Sequence, residues 1–153
     1  MVCRGHARLF LLRTRQLAHS SFLVEPVWFS RMYLPKVIAF NAKDETAAKR
    51  YAAIADMLAL GGSTVAEKVK LLIAYLRQLN DELNIPQCIG HYGVDSYPAE
   101  KSFVPRDVFL KRLPEIAKNA IGDACTGSNP RQPSQEEMEK LLLCCYDDSE
   151  VDF

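Results

Sequence analysis

The 153 residues, 48% hydrophobic and 25% charged, suffice for one domain with a real core. Nineteen basic and nineteen acidic side chains cancel, so no global charge points to nucleic acid. No apolar run approaches the roughly 20 residues of a membrane span.

The charge is unevenly spread. Residues 1–33 hold five arginines, no lysine and one acid, Glu25, whereas residues 34–153 hold 14 basic and 18 acidic side chains, a net of −4. Residues 1–33 show no sustained helical or strand period, and they are expected to form an irregular Arg-rich leader not native to the fold that follows. A shifted reading frame or a wrong start gives such a composition, and so does an organellar transit peptide.

From Leu34 the pattern is regular. Leu34–Asn41 is a short apolar stretch. Asp44 can cap a helix through Ala47, Ala48, Tyr51, Ile54, Ala55, Leu58 and Leu60, closed by Gly61 and Gly62. Thr64-Val-Ala-Glu67 is a capping box, and it opens a helix whose seam is Val65, Val69, Leu72, Leu76, Leu79 and Leu83. A seam of about three heptads reads as an intramolecular bundle helix in preference to a partner-binding coiled coil. Pro86 ends it.

Residues 87–104 read as a long loop. Pro105 is expected to start a short helix through Leu113, and Pro114 the next, Glu115–Ile121. Ser134-Gln-Glu-Glu137 is a second capping box before a last helix, and the acidic tail Asp147–Phe153 is expected to fray. No strand pattern appears from Leu34 onward. The expectation is an all-α helical bundle of about six helices over residues 34–153.

Few residues carry recognisable chemistry. Neither G-x-G-x-x-G nor a P-loop is present, so no cradle for a pyrophosphate is evident. The three histidines, His6, His19 and His91, are scattered, which argues against a metal site built on histidine. Five cysteines without a C-x-x-C spacing argue against a disulfide framework and suit a reducing, cytoplasmic setting. Cys144 and Cys145 read as core filler on the last helix. The pairs Asp81–Glu82 and Glu136–Glu137 read as solvated or capping charges.

One stretch stands apart, Asp123-Ala-Cys-Thr-Gly-Ser-Asn-Pro-Arg131. A helix–helix connection rarely needs so many turn-forming residues. Gly127 offers unusual backbone freedom and Pro130 fixes its φ. The loop is either an elaborate connector or a site wall. Cys125 as a nucleophile would need a basic neighbour or a helix N-terminus, and no histidine is close in sequence.

Leu34-Pro-Lys-Val-Ile-Ala-Phe-Asn41, Arg50-Tyr-Ala-Ala-Ile-Ala-Asp56, Leu60-Gly-Gly62, Leu83-Asn-Ile-Pro86 and the loop Asp123–Arg131 occur together and in order. They resemble the C-terminal helical domain of iron-dependent alcohol dehydrogenases, with the closest likeness to the alcohol dehydrogenase half of bifunctional aldehyde–alcohol dehydrogenases. The resemblance implies hydride transfer between NAD(H) and an alcohol/aldehyde pair. It also implies an α/β dinucleotide domain and an Fe²⁺ held by one Asp and three His. By the same resemblance Cys125, Thr126 and Asn129 border the substrate cleft, shaping it and hydrogen-bonding without transferring protons.

The family places a metal-binding His-Gly shortly before the Leu-Pro matched by Leu34-Pro35. Here Glu25–Tyr33 contains no histidine, and no segment corresponds to the nucleotide domain. The chain is therefore expected to be a fragment, inactive alone, with no catalytic, cofactor-binding or metal-binding residue of its own. Its expected partners are another copy of itself or a full-length homologue, with neither nucleic acid nor membrane. A non-catalytic interaction module docking on such a homologue is the alternative.

Overall fold

The computed structural model describes residues 26–91 and 104–153, with side chains from Ser30 onward. His6, His19, Tyr92 and Tyr97 lie outside the described residues. Five α-helices follow in order: α1 Pro26–Asn41, α2 Glu45–Met57, α3 Val65–Glu82, α4 Arg106–Ile121 and α5 Gln135–Asp147. Two short 3₁₀ turns, Ile89–His91 and Thr126–Ser128, complete the regular structure, and no strand occurs among the described residues. The all-α expectation holds, with five α-helices among the described residues.

Three helix starts follow their local chemistry. The Asp44 carboxylate accepts from the Ala47 amide at 2.8 Å. In both capping boxes, Thr64–Glu67 and Ser134–Glu137, each side chain bonds the other residue's backbone N–H. Each cap satisfies donors that the first helical turn leaves without an internal partner.

Helices α2 and α3 form one antiparallel pair and α4 and α5 another, with α1 touching α2, α3 and α5. Two cores result. Ile38, Ala55, Val69 and Leu72 fill the first, under α2 and α3. Phe109, Leu113, Ala117, Leu142, Cys145 and Tyr146 join Ile89 in the second. Helix α1 contributes Ile38 to the first and Tyr33 to the second, so it is the element that joins them. The Phe109 and Tyr146 rings stack at 4.5 Å, and the Tyr146 hydroxyl donates to the Val104 carbonyl at 2.7 Å. A Cβ on Gly90 would stand 2.8 Å from the Tyr146 carbonyl oxygen, so that close approach requires glycine.

Several expectations need correction. The leader does not remain irregular to residue 33, because α1 begins at Pro26 and runs unbroken through Leu34. Helix α2 stops at Met57, and Ala59, at φ 53°, takes the left-handed turn before Gly61 and Gly62 carry the chain into α3. Its buried stripe is alanine (Ala47, Ala48, Ala52, Ala55), while Ile54 and Leu58 face outward, because small side chains let α3 approach closely. The α3 seam is buried at Val69 and Leu72, but its ends, Val65 and Leu83, are exposed. Helix α4 is one helix with Pro114 inside it, not two. Pro114 and Leu110 both lie on its exposed side, where water reaches the carbonyl that proline cannot bond. The tail is docked, as described below.

Pro35 inside α1 poses the same problem in a buried place. A proline at position 35 has no N–H for the Arg31 carbonyl, four residues earlier. The Asn80 side chain of α3, itself buried, donates to that carbonyl at 3.2 Å. We expect Asn80→Ala to cost about 1–2 kcal/mol, since it removes a buried side chain and takes the side-chain donor from the Arg31 carbonyl. Urea unfolding with an unchanged slope and a lower midpoint is the check.

Candidate functional site

The loop 123–131 is built by its own side chains. The Asp123 carboxylate accepts from the Cys125 amide at 2.9 Å, and the Thr126 amide donates to the Asp123 carbonyl at 3.0 Å. The Thr126 hydroxyl turns back to the end of α4, donating to the Ala120 carbonyl at 2.6 Å. The Ser128 hydroxyl donates to the Cys125 carbonyl at 2.8 Å. Gln132 spans the far side, donating to the Gly127 and Asn129 carbonyls at 3.1 and 2.8 Å. These are the short-range bonds that Asp, Ser and Thr make at turns. Gly127 does not use its conformational freedom, since among the described glycines only Gly61 and Gly62 have positive φ.

Two residues fasten this loop to the end of α1. Asn129 and Asn41 exchange a pair of amide hydrogen bonds, 3.0 and 2.7 Å long. Asn41 is buried, so this reciprocal pair satisfies an amide that would otherwise be costly to bury. The Arg131 guanidinium lies 3.9 Å from the centre of the Phe40 ring and donates to the Phe40 carbonyl at 3.2 Å. It also donates to the Phe153 carbonyl at 3.1 Å and to the Glu137 carboxylate. Glu137 is held below the usual carboxylate range, first by the Ser134 amide of its capping box and then by Arg131.

Thr126 and Asn129 thus spend their polar groups on building the loop and tying it to α1, and Cys125 sits half-buried just before the turn. The structure brings all three onto one short turn. Arg131 and Asn41 tie that turn to α1, a role that neither residue's place in the sequence announces. Nothing in the linear order of residues places Asn41 beside Asn129, 88 residues later.

The other thiols among the described residues are packing groups. Cys88, Cys144 and Cys145 are buried, and burial raises the Cys88 thiol and raises the Cys145 thiol strongly. This agrees with the reading of Cys144 and Cys145 as core filler.

The iron that the resemblance implies needs several converging donors. Among the described residues, no three His, Cys, Asp or Glu side chains converge to hold a metal ion. His91 stands exposed at the end of a 3₁₀ turn. The described residues therefore do not fit the family's one-Asp, three-His set. No helix among them is long and apolar enough to cross a membrane.

Comparison with known proteins bears directly on this loop and its helices. The pattern of the Fe-containing alcohol dehydrogenase family, C-terminal part, matches residues 30–146. The NADPH-dependent butanol dehydrogenase of Clostridium saccharobutylicum is 42% identical over 122 residues, which are 80% of this chain and 28% of that protein. The bifunctional aldehyde-alcohol dehydrogenase of Escherichia coli K12 is 32% identical in an alignment that covers 92% of this chain and 17% of its own length. An alcohol dehydrogenase of Thermococcus barophilus is 32% identical, covering 94% of this chain and 33% of its own length. The chain spans a third or less of these curated relatives. With an all-helical architecture and a match over most of its length, the chain belongs to the Fe-containing alcohol dehydrogenase family and corresponds to that family's C-terminal part.

Proposed function

We propose that this chain is the C-terminal part of an iron-dependent alcohol dehydrogenase that moves hydride between a nicotinamide dinucleotide and an alcohol/aldehyde pair. In this reading the loop 123–131 is one wall of the substrate cleft, with Cys125, Thr126 and Asn129 shaping it. The single observation that carries the reading is the family match over residues 30–146, which includes the whole loop. The relatives' names include both an NADPH-dependent and an NAD-dependent enzyme, so either dinucleotide fits the reading. In this reading the chain alone is catalytically incomplete, which the lack of a histidine in Glu25–Tyr33, just before the Leu34-Pro35 match, supports. Its setting is cytoplasmic, in keeping with buried thiols held reduced.

The purified chain, given Fe²⁺, NAD⁺ or NADP⁺ and ethanol or butan-1-ol, is expected to form no reduced nicotinamide. A full-length relative assayed alongside provides the positive control. Turnover comparable to that control would refute the reading of the chain as inactive alone.

A second reading, a non-catalytic module that docks on a full-length homologue or on another copy of itself, draws on the outer edge of the α2–α3 pair. Met57 is 85% exposed there, with Ile54, Leu58 and Val65 also exposed. The same preparation, passed through a sizing column with and without the full-length relative, separates the readings. Co-elution supports docking, and a monomer that ignores the relative removes it.

A further inference from the structure

The family match ends at residue 146, yet the tail that follows is fastened along its length. The Ser149 carbonyl accepts from the Lys36 ammonium at 2.8 Å, and the Glu150 carbonyl accepts from the Cys144 thiol at 3.2 Å. The Phe153 ring packs 6.2 Å from the Phe40 ring, centre to centre, at an angle of 54°. The Phe153 carbonyl accepts from Arg131, whose guanidinium covers Phe40. Phe40 is 1% exposed, closed over by Arg131 and Phe153 together.

We propose that the tail 148–153 is a clasp for the loop 123–131, and that Arg131 is the positioning residue through which it acts. A guanidinium is suited to this because its two terminal nitrogens can bond acceptors on different elements while its face stacks on a ring. One amine of Arg131 bonds both Phe40, on α1, and Phe153, on the tail. The other bonds Glu137, at the start of α5. The arginine therefore stands where loop, tail, α1 and α5 meet. Removing the tail's end takes one acceptor from the fork and uncovers one side of the Phe40 ring. The Asn41–Asn129 pair remains, so the loop loosens and does not detach. The functional consequence, a cleft wall whose placement depends on the tail, rests on the reading under Proposed function. The clasp itself does not.

Hydrogen exchange followed by mass spectrometry on the whole chain tests this without any assay of activity. We compare the wild type, a chain ending at Glu150, Arg131→Lys and the two changes combined. The chain ending at Glu150 keeps the Ser149 and Glu150 acceptors and the Asp148 ion pairs. Amides of residues 123–131 are expected to exchange about tenfold faster in the shortened chain, the size expected for losing one charge-assisted bond. Those of α2 and α3 should be unchanged. Arg131→Lys, which keeps the charge but not the fork, should give a similar rise. The combined variant should add little to either, because both changes break one linkage. Unchanged loop exchange in the shortened chain would overturn the proposal. So would a rise spread evenly over all helices, or additive effects in the combined variant. Should the shortened chain fail to fold, Phe153→Ala carries the same comparison, since it removes the ring contact alone.

Discussion

Phe40→Ala is expected to destabilise the fold by about 4 kcal/mol, the usual cost of truncating a fully buried phenylalanine. In a chain of this size that corresponds to a fall in Tm of roughly 10 °C. Three losses combine. The ring is 1% exposed, so its removal leaves a cavity. The Arg131 guanidinium loses the face it lies over, and the Phe153 ring loses its neighbour. A Phe40→Leu change keeps most of the volume but not the aromatic face, and should recover about half of the loss. Thermal unfolding by circular dichroism gives both values, and a drop under about 1 kcal/mol for Phe40→Ala would show that the site collapses around the missing ring.

The second large effect centres on Asp148. Its carboxylate receives the Lys36 ammonium at 2.8 Å and both terminal nitrogens of Arg77 at 2.7 Å. Lys36 is buried, so removing its counter-ion leaves an ammonium held by neutral acceptors, the Ser149 carbonyl among them. Asp148→Asn should therefore cost about 2–3 kcal/mol, toward the lower end for a broken buried pair because a quarter of the Asp148 side chain still meets water. Asp148 also sits in the left-handed region, at φ 56°. Asparagine tolerates that backbone and alanine does not, so Asp148→Ala should cost about 1 kcal/mol more than Asp148→Asn. The difference between the two variants combines that backbone strain with the hydrogen bonds the asparagine oxygen can still accept, separately from the charge.

The same carboxylate sets a pH dependence. Hydrogen bonding to Arg77, then the bond and charge of Lys36, lower Asp148 from 3.8 to about 2. A group lowered in the folded state binds its proton more readily when unfolded. Its contribution is therefore complete above about pH 4 and is lost as the pH falls through about 2. Stability measured between these values should fall more steeply in the wild type than in Asp148→Asn. Parallel curves would show that the ion pairs contribute nothing to folding.

Local chemistry was legible wherever it decided the outcome. Asp44, Thr64 and Ser134 lie at helix starts, and each cap forms as its residue types require. The readings that failed were decided at long range. Pro35 and Pro114 argue locally against continuous helices, but Asn80, 45 residues away, satisfies the carbonyl that Pro35 leaves open. The alanine stripe of α2 reads as weakly apolar, although close approach of α3 makes it the buried side. The tail reads as acidic and loose because the cations that hold it, Lys36 and Arg77, are far from it in sequence. At the loop, the residue types announced a special turn, and Thr126 does shape it. Its attachment through Asn41 and Arg131 depends on tertiary placement, which residue order does not encode in any short window.

The Asp148 junction also has a temporal meaning. Lys36 is made early, and its acceptor at Ser149 follows 113 residues later. At synthesis rates of about 5–20 residues per second, α1 waits on the order of 6–20 s for that acceptor. Meanwhile the local α2–α3 hairpin has everything it needs, and its sequence-near contacts form fast. In that interval α1 can already pack Ile38 against α2 and α3, but its Lys36 ammonium waits for Asp148 and Ser149, so this junction closes late in the life of the newborn chain.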